Sequence, residues 1–277
     1  MTGDDSKPAE YKLSFSANGG TGEMESIAKE ENEKINLPAV KFSKTGFEFL
    51  NWNTSADGSG TTYADGAEFT FNSDTMLHAQ WTVAAENAVN AINSLPAGEH
   101  KIAVTGEMTK DNLNDLMAAI KDNSTGAKVY LDLGGITIDF YDWQKCKFAD
   151  CENLIGIVIP GIESPDKDNP IILIPDLMFE GCRNLKSVII LNSSGEYKII
   201  TFKNCTSLEY VEIPTSIVCI YGDAFDGCTA LETITYNGSV EQWKQVKTDY
   251  KDSKYKLMSL KVQCENGTAS GSDLTEE

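Results

Sequence analysis

The chain has 277 residues, is 41% hydrophobic and 9% aromatic, and carries a formal net charge of −19. That length and composition predict two packed units rather than a largely disordered polypeptide. The acidity excludes nucleic acid and anionic lipid surfaces as partners, since both select clustered Lys and Arg, and its plain consequence is solubility.

The polar stretch from residue 1 to 10 reads as a flexible leader, of the kind left when a secretion signal is trimmed and an initiator Met added. The sequence contains no apolar run of about 18 residues, so membrane contact is expected only through a lipid anchor absent from this chain. Residues 11–83 alternate short apolar stretches with Gly, Asn and Asp turns, the pattern of a small strand-rich domain. Leu13 and Phe15 precede the turn at Asn18, Gly19 and Gly20, and Phe47, Phe49 and Trp52 precede Asp57-Gly58-Ser59-Gly60. Met24 to Glu33 fits either a short helix or an extended loop, and Thr75 to Trp81 a last strand. The Asp57 turn has some features of a calcium loop, but only Asp57 and Asp65 supply carboxylates nearby, so no metal is expected there.

Five ordered motifs run through this module: Ser16-Ala17-Asn18-Gly19-Gly20, Lys44-Thr45-Gly46-Phe47, Asn51-Trp52-Asn53, Asp57-Gly58-Ser59-Gly60-Thr61 and Ala79-Gln80-Trp81. Together they resemble the Listeria–Bacteroides repeat, or internalin B-repeat. The resemblance implies a small β-grasp-like domain that serves as a stalk or spacer in bacterial surface proteins.

Residues 84–126 read as a mixed helix and strand cap. Ala88, Ala91, Ile92 and Leu95 share one helical face, ended by Pro96, Ala97 and Gly98. Leu113, Leu116, Met117 and Ile120 mark a second helix from Thr109 to Lys121, and strands are expected at Lys101–Thr105 and Lys128–Leu133. Such a segment shields the apolar end of a repeat array.

Residues 127–267 contain the strongest signal, a column of matching residues. Phe148, Cys151, Leu154, Ile157 and Ile159 recur as Phe179, Cys182, Leu185, Val188 and Ile190. They recur again as Phe202, Cys205, Leu208, Val211 and Ile213, and as Phe225, Cys228, Leu231, Ile234 and Tyr236. Successive Cys residues lie 31, 23 and 23 apart. In each copy Leu, Val and Ile turn inward from a short strand, and Phe fills a wider part of the coil, expected to be its helical side. A lone repeat exposes these side chains, whereas stacking buries each at about 1.5–3 kcal/mol.

These columns resemble the BspA-type, or Treponema-type, leucine-rich repeat, most closely along Ile220-Tyr221-Gly222-Asp223-Ala224-Phe225-Asp226-Gly227-Cys228. The resemblance implies a solenoid in a secreted or lipid-anchored bacterial surface protein. The fold class expected overall is therefore α+β: a small β-grasp-like domain, then a leucine-rich-repeat solenoid with an α/β cap. Residues 161–170 form an insertion at one rim, and residues 268–277 read as a disordered tail.

The seven cysteines are an odd number. Stacked side chains point parallel to one another, so buried free thiols are expected rather than bridges. With neither His78 nor His100 in a repeat and no triad or phosphate-loop motif, no catalytic residue, cofactor or metal ligand is assigned, and no enzyme is expected. The outward strand positions are the candidate partner-binding residues: Ile155, Val158, Lys186, Ile189, Glu209, Tyr210, Glu212, Glu232 and Thr235. Ile155, Val158, Ile189 and Tyr210 are expected to make an exposed apolar patch. The function implied is adhesion or protein–protein interaction at the cell surface or after secretion. The partner would be a host matrix or cell-surface protein or another bacterial surface protein, with the first module as spacer. The alternative is a purely structural spacer.

Overall fold

The structure, a computed structural model, describes residues 9–138, 148–161, 171–173, 178–194, 196–199, 202–249, 252 and 255–276. The chain divides into two compact units, Met1–Val83 and Ala84–Glu277. Strands predominate in both, and the helices are few and short.

The first unit contains β1 (Glu10–Ser16), β2 (Ile27–Glu30), β3 (Lys34–Asn36), β4 (Glu48–Asn53), β5 (Thr62–Tyr63), β6 (Glu68–Thr70) and β7 (Thr75–Ala84). Its main sheet runs β2-β1-β7-β4-β5, with β1 and β7 parallel and the other pairs antiparallel, and β3 pairs with β6. Alternation on β1 and β7 turns Leu13, Leu77, Ala79 and Trp81 into one core around the fully buried Trp52. The segment expected to be a helix or loop is β2 instead. Its backbone pairs with β1 while Ile27 packs on the core, a tertiary gain that outweighs any local helical preference. Glu10 likewise belongs to β1 rather than to a flexible leader; residues 1–8 lie outside the described residues.

One buried amide organises the loop that follows β4. Asn53 donates to the carbonyls of Gly58 and Gly60 and to Thr62 Oγ1, and accepts from the N–H groups of Ser55 and Gly60. Asp57 Oδ1 accepts from the Ser55 and Ser59 hydroxyls, at 2.6 and 2.7 Å. The chain thus satisfies the oxygens of this turn with its own donors.

The second unit opens with α1 (Ala88–Asn93), β8 (Gly98–Met108), α2 (Lys110–Lys121) and β9 (Ala127–Ile138). Thr109 caps α2 by accepting from Asn112 N, and the apolar faces of both helices are buried. Beyond them lie β10 (Leu154–Ile159), β11 (Ile171–Leu173), β12 (Ser187–Ile190), β13 (Glu196–Ile199), β14 (Tyr210–Ile213), β15 (Ile217–Ile220) and β16 (Thr233–Tyr236). The unit ends with α3 (Val240–Trp243), β17 (Lys247–Thr248), α4 (Lys256–Ser259), β18 (Lys261–Cys264), β19 (Gly267–Ser270) and β20 (Thr275–Glu276). Two parallel ladders climb through these elements together. One runs β8-β9-β10-β12-β14-β16-β18, and the other β11-β13-β15-β17-β20. The first ladder begins at β8, which contains the strand expected at Lys101–Thr105 in the cap segment. The second ladder is a correction, since a strand stands where a helical side was expected. Parallel backbone pairing of β13 with β15 and of β15 with β17, with Ile199, Ile217 and Cys219 buried along it, outweighs any local helical preference.

Between the ladders the repeat columns stack. Phe148, Phe179, Phe202 and Phe225 lie face to face, with successive centroids 5.6, 5.4 and 5.7 Å apart and planes within 11°. Each thiol donates to the Phe carbonyl of the preceding copy: Cys182 to Phe148, Cys205 to Phe179 and Cys228 to Phe202. The six described cysteines are free and buried. Burial pushes the Cys182 thiol up to about 12, so this sulfur stays a protonated donor.

The residue before each of the four repeat-column cysteines, Cys151, Cys182, Cys205 and Cys228, sits in the left-handed region: Asp150, Gly181, Asn204 and Gly227, at φ of 57°, 72°, 62° and 77°. Only Gly, Asn and Asp tolerate that conformation readily. The alternation has a steric cause, because a Cβ on Gly181 would meet Asp150 Oδ1 and one on Gly227 would meet Asn204 Oδ1.

The polar C-terminus is not a disordered tail. β19 closes antiparallel on β18, β20 adds to β17, and Leu274 is fully buried between them in sequence. Thr275 N donates to Val246 O and Thr275 Oγ1 to Lys244 O. Backbone pairing, which composition does not report, orders the segment. Most of the rim insertion, residues 162–170, lies outside the described residues.

Candidate functional site

Each inward column residue of the first ladder has an outward neighbour, and strand register sorts those neighbours into rows. A middle row runs Lys101, Tyr130, Gly156, Ser187, Tyr210, Thr233 and Lys261. Beside it lies a row of Asp132, Val158, Ile189, Glu212 and Thr235. On the other side, at the lead into the strands, stand Ile155, Lys186, Glu209 and Glu232; Lys186 N bonds Ile155 O, and Glu209 N bonds Lys186 O.

The middle row forms a platform. Tyr130 lies across Gly156, where a Cβ would come within 2.2 Å of the ring, so only glycine permits this packing. Its titration is raised first by burial, then by the Asp132 charge, with Ser187 acting the other way. On the opposite side Lys101 Nζ stands 5.4 Å from the Tyr130 ring centroid. Three positions on from Tyr130, Tyr210 is 41% exposed and donates its hydroxyl to Glu212 Oε2 at 2.6 Å. Burial, then the hydrogen bond and charge of Glu212, push Tyr210 up to about 12. Asn237 Nδ2 donates to the other carboxylate oxygen at 2.8 Å, so Glu212 is held at both ends. Rigid, anchored aromatic rings of this kind offer contact area at little ordering cost.

The nine sequence candidates all fall on this face, but the expected apolar patch does not form. Val158 is buried at 7% exposure. Leu191, whose N–H bonds Ile159 O, and Val158 both bring their side chains to the space above Gly134. Ile155, Ile189, Glu212 and Thr235 are half-buried, while Lys186, Glu209, Tyr210 and Glu232 are exposed. Lys186 pairs with Glu99 at 3.1 Å. Tyr210 is the large hydrophobic side chain exposed among the described residues of the second unit.

Tyr130, Gly156 and Asn237 complete the site without standing among the nine. Tyr130 was readable from alternation, since Val129, Leu131 and Leu133 point inward and leave it outward. Among the described residues, no cluster of three or more His, Cys, Asp or Glu side chains is placed to hold a metal ion. His100 bonds Pro96 O, and His78 lies on β7.

Comparison with known proteins matches residues 11–80 to the family model for the Listeria-Bacteroides repeat domain. Residues 144–247 match the model described as "BspA type Leucine rich repeat region (6 copies)". Neither model describes a catalytic family. No curated protein and no solved structure matches the chain.

Proposed function

Because the chain joins a Listeria–Bacteroides repeat domain to a BspA-type leucine-rich repeat region, we propose that it is a non-enzymatic bacterial surface or secreted adhesion protein. Both repeat types are typical of bacterial surface or secreted proteins, and leucine-rich repeats generally mediate protein–protein interaction. The two parallel ladders are read as the turns of a solenoid, and the first unit, β-grasp-like in kind, as its spacer. The partner is a host matrix or cell-surface protein or another bacterial surface protein, and it docks on the outward strand face. The observation that carries this reading is the platform of Tyr130, Tyr210 and Glu212, in which Glu212 and Asn237 fix the Tyr210 hydroxyl and the exposed ring is left for contact.

The test is a binding titration of the whole chain against extracellular-matrix proteins and whole bacteria, with a Tyr210→Ala/Ile189→Ala variant beside it. Saturable binding weakened at least about tenfold in the variant is expected, the scale of losing one aromatic anchor. Binding that ignores the variant moves the interface off this face, and no saturable binding at all favours a purely structural spacer.

A further inference from the structure

Resting on that reading of the strand face, the geometry points to an arginine-bearing segment of the partner protein as what the Tyr210 end of the platform receives. The molecule already shows the mode of contact at the neighbouring ring. Tyr130 carries the chain's own cation, Lys101, at 5.4 Å from its centroid. Among the described residues no cation of the chain lies over Tyr210, although its ring is the more exposed of the two.

Charge around Tyr210 completes the argument. Glu209, Glu212 and Glu232 surround it by register, and none of the three is in an ion pair among the described residues. Lys186 is engaged with Glu99 and Lys101 lies over Tyr130, while Lys261, beside Thr233, is the base nearest the ring along the middle row. Three carboxylates against that one lysine leave the surroundings of the exposed ring net negative. A chain of net charge −19 adds a long-range pull of the same sign.

Arginine fits this arrangement better than lysine. A guanidinium is planar, so it stacks on the Tyr210 ring while its edge donates to carboxylates in the fork geometry. An ionised carboxylate has about four acceptor positions. Glu212 gives one to the Tyr210 hydroxyl and one to Asn237, which fixes its orientation and leaves acceptor capacity for the incoming group. Glu209 and Glu232, both exposed, flank the ring on the lead side.

The experiment titrates the whole chain with a pentapeptide of glycine, arginine, serine, arginine and glycine. Lysine and citrulline versions of the same peptide serve as comparisons, and the tyrosine ring signals are followed by NMR. The arginine peptide is expected to shift the Tyr210 ring signals, assigned with Tyr210→Phe, and to bind more tightly than the lysine peptide, with the citrulline peptide silent. A Glu209→Gln/Glu232→Gln variant, whose exposed side chains leave the fold intact by circular dichroism, should weaken the arginine peptide about tenfold. Equal binding of the lysine peptide, or equal binding by the variant, reduces the effect to diffuse attraction by the net charge and overturns the inference. A partner protein that loses affinity in the Tyr210→Ala/Ile189→Ala variant but is indifferent to Glu209→Gln/Glu232→Gln overturns it too, while leaving the strand face as the binding surface.

Discussion

In the first unit a single side chain, Asn53, satisfies both rims of the loop between β4 and β5. In the second unit the chain is turned by a column, Asp150, Gly181, Asn204 and Gly227, each backed by the copy next to it. The cores differ in the same way. Trp52 sits among Phe15, Phe42 and Phe49 at tilted or edge-on angles, a packing met once, whereas four phenylalanines of the second unit stack within 11° of parallel. A one-off core needs every residue to be specific to its place. A repeated core needs one solution, copied, and each copy presents its neighbour with the surface that neighbour was shaped to meet.

The contrast is broken most directly at Phe202, which has a stacked ring on both sides. Phe202→Ala should cost about 3–5 kcal/mol, because the cavity opens between two rigid neighbours that cannot collapse into it. Urea denaturation measures this. A loss under about 1 kcal/mol would mean that the coils can close the gap by sliding, and that the column is not the rigid core described.

Next in size is Asn53→Ala, which strands two carbonyls and two N–H groups around a buried site. Water reaches part of this loop, so the expected cost is roughly 2–3 kcal/mol rather than the sum of five lost bonds. Hydrogen exchange provides the sharper readout. The Ser55 and Gly60 amides, bonded to Asn53 Oδ1 at 2.8 and 2.9 Å, should lose their protection while the thiol column of the second unit keeps its own. Unchanged exchange at Ser55 and Gly60 would show that the backbone of the turn holds itself.

The same contrast explains what could be read from the sequence. The repeat columns were legible because an environment that recurs selects residues that recur: Phe148, Cys151, Leu154 and their counterparts are all buried. So was the buried face of α2, marked by the helical spacing of Leu113, Leu116, Met117 and Ile120. What was not legible depends on pairing between distant segments. β2 is a strand because β1 lies beside it, and Leu274 is buried because β20 completes the second ladder. In the site, alternation placed Ile189, Tyr210, Glu212 and Thr235 outward correctly. It could not show that Val158 is buried beside Gly134, or that Tyr130 lies over the bare backbone of Gly156.

The smallest effect expected is at the platform itself, and it depends on pH. Tyr210→Phe removes one exposed hydroxyl and should change stability near neutrality by no more than about 0.5 kcal/mol. At high pH the two proteins should diverge. In the folded chain the Tyr210 phenol donates to Glu212, and the neighbouring carboxylate and partial burial raise its pKa from 10.0 to about 12. An unfolded tyrosine ionises at its ordinary value, so between those two pH values the unfolded chain binds fewer protons than the folded one. The contribution of the phenol is thus fully present below pH 10.0 and is lost as pH rises through about 12. Denaturation midpoints across that window should fall more steeply for the natural chain than for Tyr210→Phe, and ultraviolet titration of the variant should lack one late-ionising phenol. Parallel curves would mean that Tyr210 ionises freely and is not held by Glu212. The platform would then present a mobile ring, no better ordered than the exposed turns of the first unit.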